Sequence, residues 1–271
     1  MRSIGTASSA RIRSPNSSPA AASKSSAGFK LSTITVIWSA RSASSTYFQR
    51  GGSQSIVHGL ASRGAAHLRR VADVPFARLD WTTHNRSVKR LFLEHALMVS
   101  DIMVALELAC RRRGDLRLLI KHEIPLPEAI RALRDPFRWT VTVSGKGKLG
   151  VIPDRVFALE FTDTHERILC FLEADRGTMP VERSKHAASS ITRKLHAYAA
   201  TWNAGIHRSR FGIHRLRVLT VTSSESRCES IRSAEATVSS GKGIFHCVAA
   251  SEAFGSNFLS TTALQSAPST P

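Results

Sequence analysis

The stretch RSVKRLFLEHALMVSDIMVALELACRRRG, residues 86–114, constrains the fold of this chain more than any other. Leu91, Leu97, Ile102, Leu106 and Ala109 recur close to helical spacing, which predicts one long helix. Three arginines, Arg111, Arg112 and Arg113, precede Gly114; cations suit the negative end of a helix dipole, and glycine suits the position just past the last turn. After this helix the periodicity changes. Residues 116–127 read as a strand, WTVTVSGKGKLGVIPDRVFALEF alternates like strands around a Gly-Lys turn, and RILCFLEAD follows as another strand. Residues 182–202 are helical in pattern, with Ile191, Leu195 and Tyr198 on one face. A buried-strand pattern at 214–224 then runs into a Ser/Glu-rich helix start. Helix, three or four strands, helix, strand, helix predicts an α/β or α+β domain over residues 83–250.

The flanks differ in kind. Residues 1–45 are rich in Ser, Ala and Arg, and the first acidic residue of the chain is Asp73. Such a segment cannot bury enough apolar surface to fold alone, so a disordered basic arm is expected, or a start codon placed too far upstream. Ser- and Arg-rich, acid-poor N-termini also resemble organelle transit peptides. SIVHGL reads as a short strand, and SRGAAHLRR as a helix capped by Ser62, within a region spanning 46–82. The tail 251–271 has no Lys or Arg and many Ser and Thr, and is expected to be flexible.

With 271 residues the chain has ample length for a buried core, and its 42% apolar content fits a soluble globular protein. A net charge of +18 favours polyanionic partners, chiefly nucleic acid with duplex DNA as the expected partner, though an anionic membrane surface would attract it too, over the substrates of an ordinary metabolic enzyme. Arg63, Arg69 and Arg70 on the short helix, with Arg111, Arg112 and Arg113, are the candidate phosphate contacts; helix capping explains the second cluster without any ligand. No apolar run approaches 18 residues, so no membrane span is expected. Cys110, Cys170, Cys228 and Cys247 are scattered without CxxC pairing, which reads as reduced thiols in a cytoplasmic protein.

The most informative short segment is FLEADRGTMP, where an apolar strand ends in Glu173 and Asp175. If residues 151–161 and 168–175 are two arms of a hairpin turning through TDTHER, Asp154 lies opposite Glu173 or Asp175. Strand alternation puts all three carboxylates on one face, with Arg176 on the other. Converging carboxylates need a cation or raised pKa values, and an oxygen-rich cluster is how proteins hold Mg²⁺ or Mn²⁺ for phosphodiester chemistry. The alternative is strand-end charges in solvent, with Asp175 paired to Arg176. Lys185, Arg193 and Lys194 on the next helix are cations that reach a phosphate or balance the acids, or else form a solvated helix face. Gly177 permits a sharp exit from the strand, and Thr178 caps the turn towards the helix.

IPD followed by FLEADRGT, then a helix containing RKLHAY, resembles the replication-relaxation family of bacterial plasmid and mobile-element proteins. LFLEHALMVSDIMVALELACRRRG and SIVHGLASRGAAHLRR are similar to that family's central helix and to the end of its N-terminal winged-helix region. The resemblance spans about residues 50–225. It implies a partial winged-helix region at 46–82, a restriction-endonuclease-like core, and a role in replication initiation and DNA relaxation, alongside other replication proteins. Asp154 and Glu173 match the acidic positions of the nuclease-type PD…ExK pattern, making Asp154, Glu173 and Asp175 the metal and catalytic candidates. Asp175 stands where that pattern has Lys, so Lys194, with Lys185 second, is the substitute. The resemblance thus implies a metal-dependent nickase, or else a catalytically inactive nuclease-fold scaffold that binds DNA.

Other features carry less. His84, His95, His122, His165, His186, His196 and His214 lack tight ligand spacing. SGKGKLG lacks the spacing of a nucleotide-binding loop and reads as a basic β-turn.

Overall fold

The computed structural model describes residues 38–41, 57–72, 90–181, 190–238, 243–254 and 259. The chain divides into two units, residues 1–100 and 101–271, with the division inside a long helix.

In the first unit, β1 (Trp38–Arg41) pairs antiparallel with β2 (Val57–Leu60), in register Trp38↔Leu60. Helix α1 (Ser62–Ala72) follows at once. The arm expected to be disordered therefore contains a strand. The apolar run ITVIW leads into it, a signal hidden when composition is averaged over the arm. Ala65 is buried, while Arg63, Arg69 and Arg70 are exposed.

Helix α2 (Arg90–Arg113) is the long helix the periodicity predicts, and its buried Ile102, Leu106, Ala109 and Cys110 form one stripe. It stops where expected, with the N–H of Gly114 bonding back to the Cys110 carbonyl at 3.0 Å. The second unit continues with β3 (Leu116–Ile120), a short α3 (Glu128–Arg131), β4 (Trp139–Val143), β5 (Gly147–Val151), β6 (Arg155–Phe161) and β7 (Arg167–Asp175). Then come α4 (Ile191–Asn203), α5 (Ile206–Ser209), β8 (Arg215–Thr222), α6 (Glu225–Thr237), β9 (Phe245–Ala249) and α7 (Ala250–Ala253).

Five strands form one mixed sheet in the order β3-β6-β7-β8-β9. The pairs β3–β6 and β6–β7 are antiparallel, while β7–β8 and β8–β9 are parallel. The parallel joins follow from the helices between those strands, since a parallel pair needs a crossover. Strand β7 is central and buried from Ile168 to Asp175, which is why RILCFLEA reads as a continuous apolar run. Phe171, Val218, Tyr198 and Phe211 share a core cluster on one face of the sheet, joined by Trp139 and Leu149 from the β4–β5 ribbon. Beside it Leu195 and Ala199 of α4 pack with Ile231 of α6 and Cys247 of β9. The fold is thus mixed α/β, a five-stranded sheet flanked by helices.

Two details depart from the sequence reading. Residues 151–161 do not form one strand: Val151 pairs with Trp139 in the separate ribbon, and β6 starts afresh at Arg155. Pro153 lacks an N–H to donate and interrupts the ladder between them. At the far end, β9, α7 and a buried Leu259 extend order past residue 250, and Arg113 donates to the Leu259 carbonyl at 3.2 Å. The thiols of Cys110, Cys170, Cys228 and Cys247 are all unpaired and buried.

Candidate functional site

The β6–β7 register runs Arg155↔Leu172, so Asp154 stands just beyond the last pair, facing Glu173. Its N–H donates to the Leu172 carbonyl at 3.1 Å, and its carboxylate Oδ2 accepts from the Ala174 N–H at 2.9 Å. Asp154 therefore extends the ladder with its own side chain after proline has broken it.

Glu173 lies under α4. Lys194 and Tyr198, four residues apart and so on one side of the helix, donate to its two oxygens: Lys194 Nζ to Oε2 and Tyr198 Oη to Oε1. The helix is fixed there by Ser190, whose hydroxyl accepts from the Arg193 N–H at 3.2 Å, and by Thr192, whose hydroxyl donates to the Val181 carbonyl at 2.8 Å. Burial pushes the Glu173 carboxyl up to about 7; Lys194 opposes the rise and the Asp154 charge adds to it. Burial lowers the Lys194 ammonium, but Glu173, Asp154 and Asp175 together outweigh it and hold the group above its ordinary value. Burial, with Glu173 next to it, raises the Tyr198 hydroxyl well above its usual range. Lys194 is thus influenced by both neighbouring carboxylates, Glu173 and Asp154, at the sheet's end.

Asp175 is on the same face but turned to β8 and α6. Its Oδ2 accepts from Arg227 Nε at 2.8 Å and from the Thr222 hydroxyl at 3.0 Å. Its Oδ1 accepts from the Gly177 N–H at 3.1 Å, closing a turn in which Gly177 sits at φ 75°. That left-handed conformation strains any residue with a β-carbon, so the glycine of RGT is a backbone requirement. Arg227 also donates to the Met179 carbonyl. Arg176 is half-buried and Thr178 exposed. Lys185, and the helix start expected near Glu182, lie outside the described residues.

Among the sequence candidates, Asp154, Glu173 and Lys194 come together, while Asp175 is diverted to Arg227. As placed, these residues do not fit a divalent cation. Protein donors already occupy both oxygens of Glu173 and of Asp175, and no group of three or more His, Cys, Asp or Glu is placed to hold a metal among the described residues. Sequence reasoning missed Tyr198, Thr222 and Arg227. The Lys194–Tyr198 spacing of four was a legible signal; nothing in the sequence tied Arg227 to Asp175.

The expected DNA contacts divide in two. On α1, Arg63 and Arg70 are exposed on one side of the helix with His67 between them, and Arg69 is exposed beside them. At the end of α2, Arg111 pairs with Glu107 at 2.9 Å and Arg113 with Asp115 at 2.8 Å, leaving Arg112 exposed between two ion pairs. Among the described residues, no helix is long and apolar enough to cross a membrane.

No curated protein and no solved structure matches the chain significantly. The model of the replication-relaxation family matches residues 40–216, a span that holds α1, the whole β6–β7 hairpin and the Asp154–Glu173–Lys194 cluster, and the chain belongs to that family, with the replication-related role that membership carries.

Proposed function

We propose that the protein is a cytoplasmic DNA-binding protein of a bacterial plasmid or mobile element, acting on duplex DNA in replication initiation and relaxation with other replication proteins. One observation carries this reading: acidic residues are absent from the first part of the chain, so its positive charge there is uncompensated. Ten Lys and Arg and no Asp or Glu precede Asp73, so ten of the eighteen net charges lie in the first quarter of the chain. The β1–β2 pair followed by α1, with its exposed arginines, supports a partial winged-helix region. Phosphate contacts of this kind position a protein on DNA without reading its sequence.

A second reading, cleavage of one strand, is favoured by the convergence of Lys194 with Asp154 and Glu173. The order of α2, three antiparallel strands, α4 and the parallel β8 supports a nuclease-like core. Here Lys194 would stabilise charge developing on a phosphate oxygen, and Glu173, ionised above about pH 7, would take a proton from the attacking water and pass it to the oxygen released when the P–O bond breaks. Tyr198 is 1% exposed and is no nucleophile for strand transfer.

Supercoiled plasmid incubated with the protein, with and without added Mg²⁺ or Mn²⁺, separates the two. Binding that weakens steeply with salt, with topology unchanged, supports the scaffold. Nicked or relaxed plasmid that disappears with Asp154→Ala supports cleavage. Affinity that stays flat from low to physiological salt overturns the first reading, and plasmid topology that never changes overturns the second.

A further inference from the structure

We propose that the β4–β5 ribbon is a second DNA-backbone contact, a track that lays a phosphate strand against its outer face and leads it to the Asp154–Glu173–Lys194 cluster. The proposal rests on the DNA-binding reading above and adds a surface to it.

The ribbon has two unlike faces. Trp139, Val141, Leu149 and Val151 point inward and are buried, and Trp139 Nε1 donates to the Thr201 hydroxyl on α4 at 3.0 Å. The ribbon is therefore anchored, not a loose loop. Outward, in register, stand Thr140 opposite Gly150 and Thr142 opposite Lys148, all exposed, with Lys146 at the turn. From Pro136 to Pro153 there is no acidic residue, while Arg138, Lys146 and Lys148 are basic. None of these three has a carboxylate partner among the described residues, unlike Arg111, Arg113, Arg117, Arg167 and Arg227, which do. Two hydroxyls and unpaired cations on one exposed face form a surface suited to phosphate oxygens.

Gly150 supplies an independent observation. Gly145 and Gly147 sit at φ 70° in the turn and are required by it. Gly150 has no such backbone need, and a β-carbon built on it would meet nothing within 4 Å. Glycine weakens a strand interior, and where the fold does not require it, it marks close approach of another backbone. The open side faces outward, between Thr140 and Lys148.

The ribbon also ends in the right place. Val151 is followed by Ile152, Pro153 and Asp154, so its last strand delivers the chain into the cluster. At the other end Lys146 lies close enough to α4 to help depress the His196 imidazole, after the larger effect of burial. Lys146 therefore lies near the helix that carries Lys194.

The test is fluorescence anisotropy of a labelled duplex of about 20 base pairs, titrated with the full chain over a salt series. Removing two phosphate contacts by K146A/K148A should flatten the slope of log affinity against log salt by about 1–2. The charge-conserving K146R/K148R should restore it. Gly150→Gln should weaken binding several-fold with its thermal unfolding midpoint no lower than wild type, because nothing in the fold occupies that space. If wild type binds DNA and all three variants bind as it does, the ribbon proposal fails and the general DNA-binding reading stands. If wild type does not bind DNA, both fail. Loss of binding to anionic phospholipid vesicles by the same variants, with DNA binding intact, would overturn the proposal in favour of a lipid surface.

Discussion

Lys194 on α4 and Glu173 on β7, twenty-one positions apart, form an ion pair in which the lysine side chain is 36% exposed and the glutamate side chain 9%. The pair is asymmetric: the buried member depends on the exposed one. Lys194→Met should leave Glu173 protonated at neutral pH and cost about 1–2 kcal/mol, less than a fully buried pair because solvent screens the lysine. Chemical denaturation at pH 7.5 measures the loss. A variant as stable as wild type would show that the pair contributes nothing to the fold.

Protonation gives the cluster a signed pH dependence. Burial raises Glu173 and Glu235 from about 4.5 to about 7, so between those values the folded chain holds more protons than the unfolded one, and stability falls as pH rises. Burial lowers His207 and His246 from about 6.5 to about 4, so over that window the folded chain holds fewer protons, and stability falls as pH drops. The two slopes oppose each other. Glu173→Gln removes part of the first, and its unfolding midpoint should rise more steeply with pH between 4.5 and 7 than that of wild type. A parallel pH profile would contradict the burial-raised Glu173.

Arg227 ties three elements together, through Asp175 at the end of β7, the Met179 carbonyl beyond it, and its own helix α6. Arg227→Ala leaves a buried carboxylate with only Thr222 and Gly177 as donors, and should cost about 2–4 kcal/mol. The double variant Arg227→Ala, Asp175→Asn should recover part of this in a double-mutant cycle. Additive losses would mean the contact carries no coupling energy.

Phe171 lies against Trp139 at 5.1 Å, Tyr198 at 5.6 Å and Phe211 at 6.0 Å between ring centroids. Phe171→Ala should cost about 3–5 kcal/mol. It should also shift the Trp139 fluorescence, since that ring loses a neighbour. A loss below about 1 kcal/mol would mean that the cluster collapses to fill the space.

Much of this was legible in the sequence where periodicity and chain geometry agree. The α2 stripe, its Gly114 stop and the facing of Asp154 to either Glu173 or Asp175 follow from spacing, and the register settles it on Glu173. What remained hidden depended on contacts between distant segments. Asp175 is acidic at the right parity, yet Thr222 and Arg227, 47 and 52 positions later, turn it away from Asp154. Strand β9 was missed because five residues, FHCVA, alternate too briefly to stand out, and only pairing with β8 fixes them. The break at Pro153 could have been read, since proline seldom sits inside a strand flanked on both sides.

The distance in sequence between Glu173 and its donors has a consequence during synthesis. Strand β7 emerges from the ribosome ahead of the segment that carries Lys194 and Tyr198, so for a time ILCFLEAD is an apolar segment with no helix over it. In that interval the two carboxylates at its end are unneutralised and repel copies of the same segment on neighbouring nascent chains. They serve as aggregation gatekeepers first, and lose that role when α4 docks and Glu173 takes its lysine.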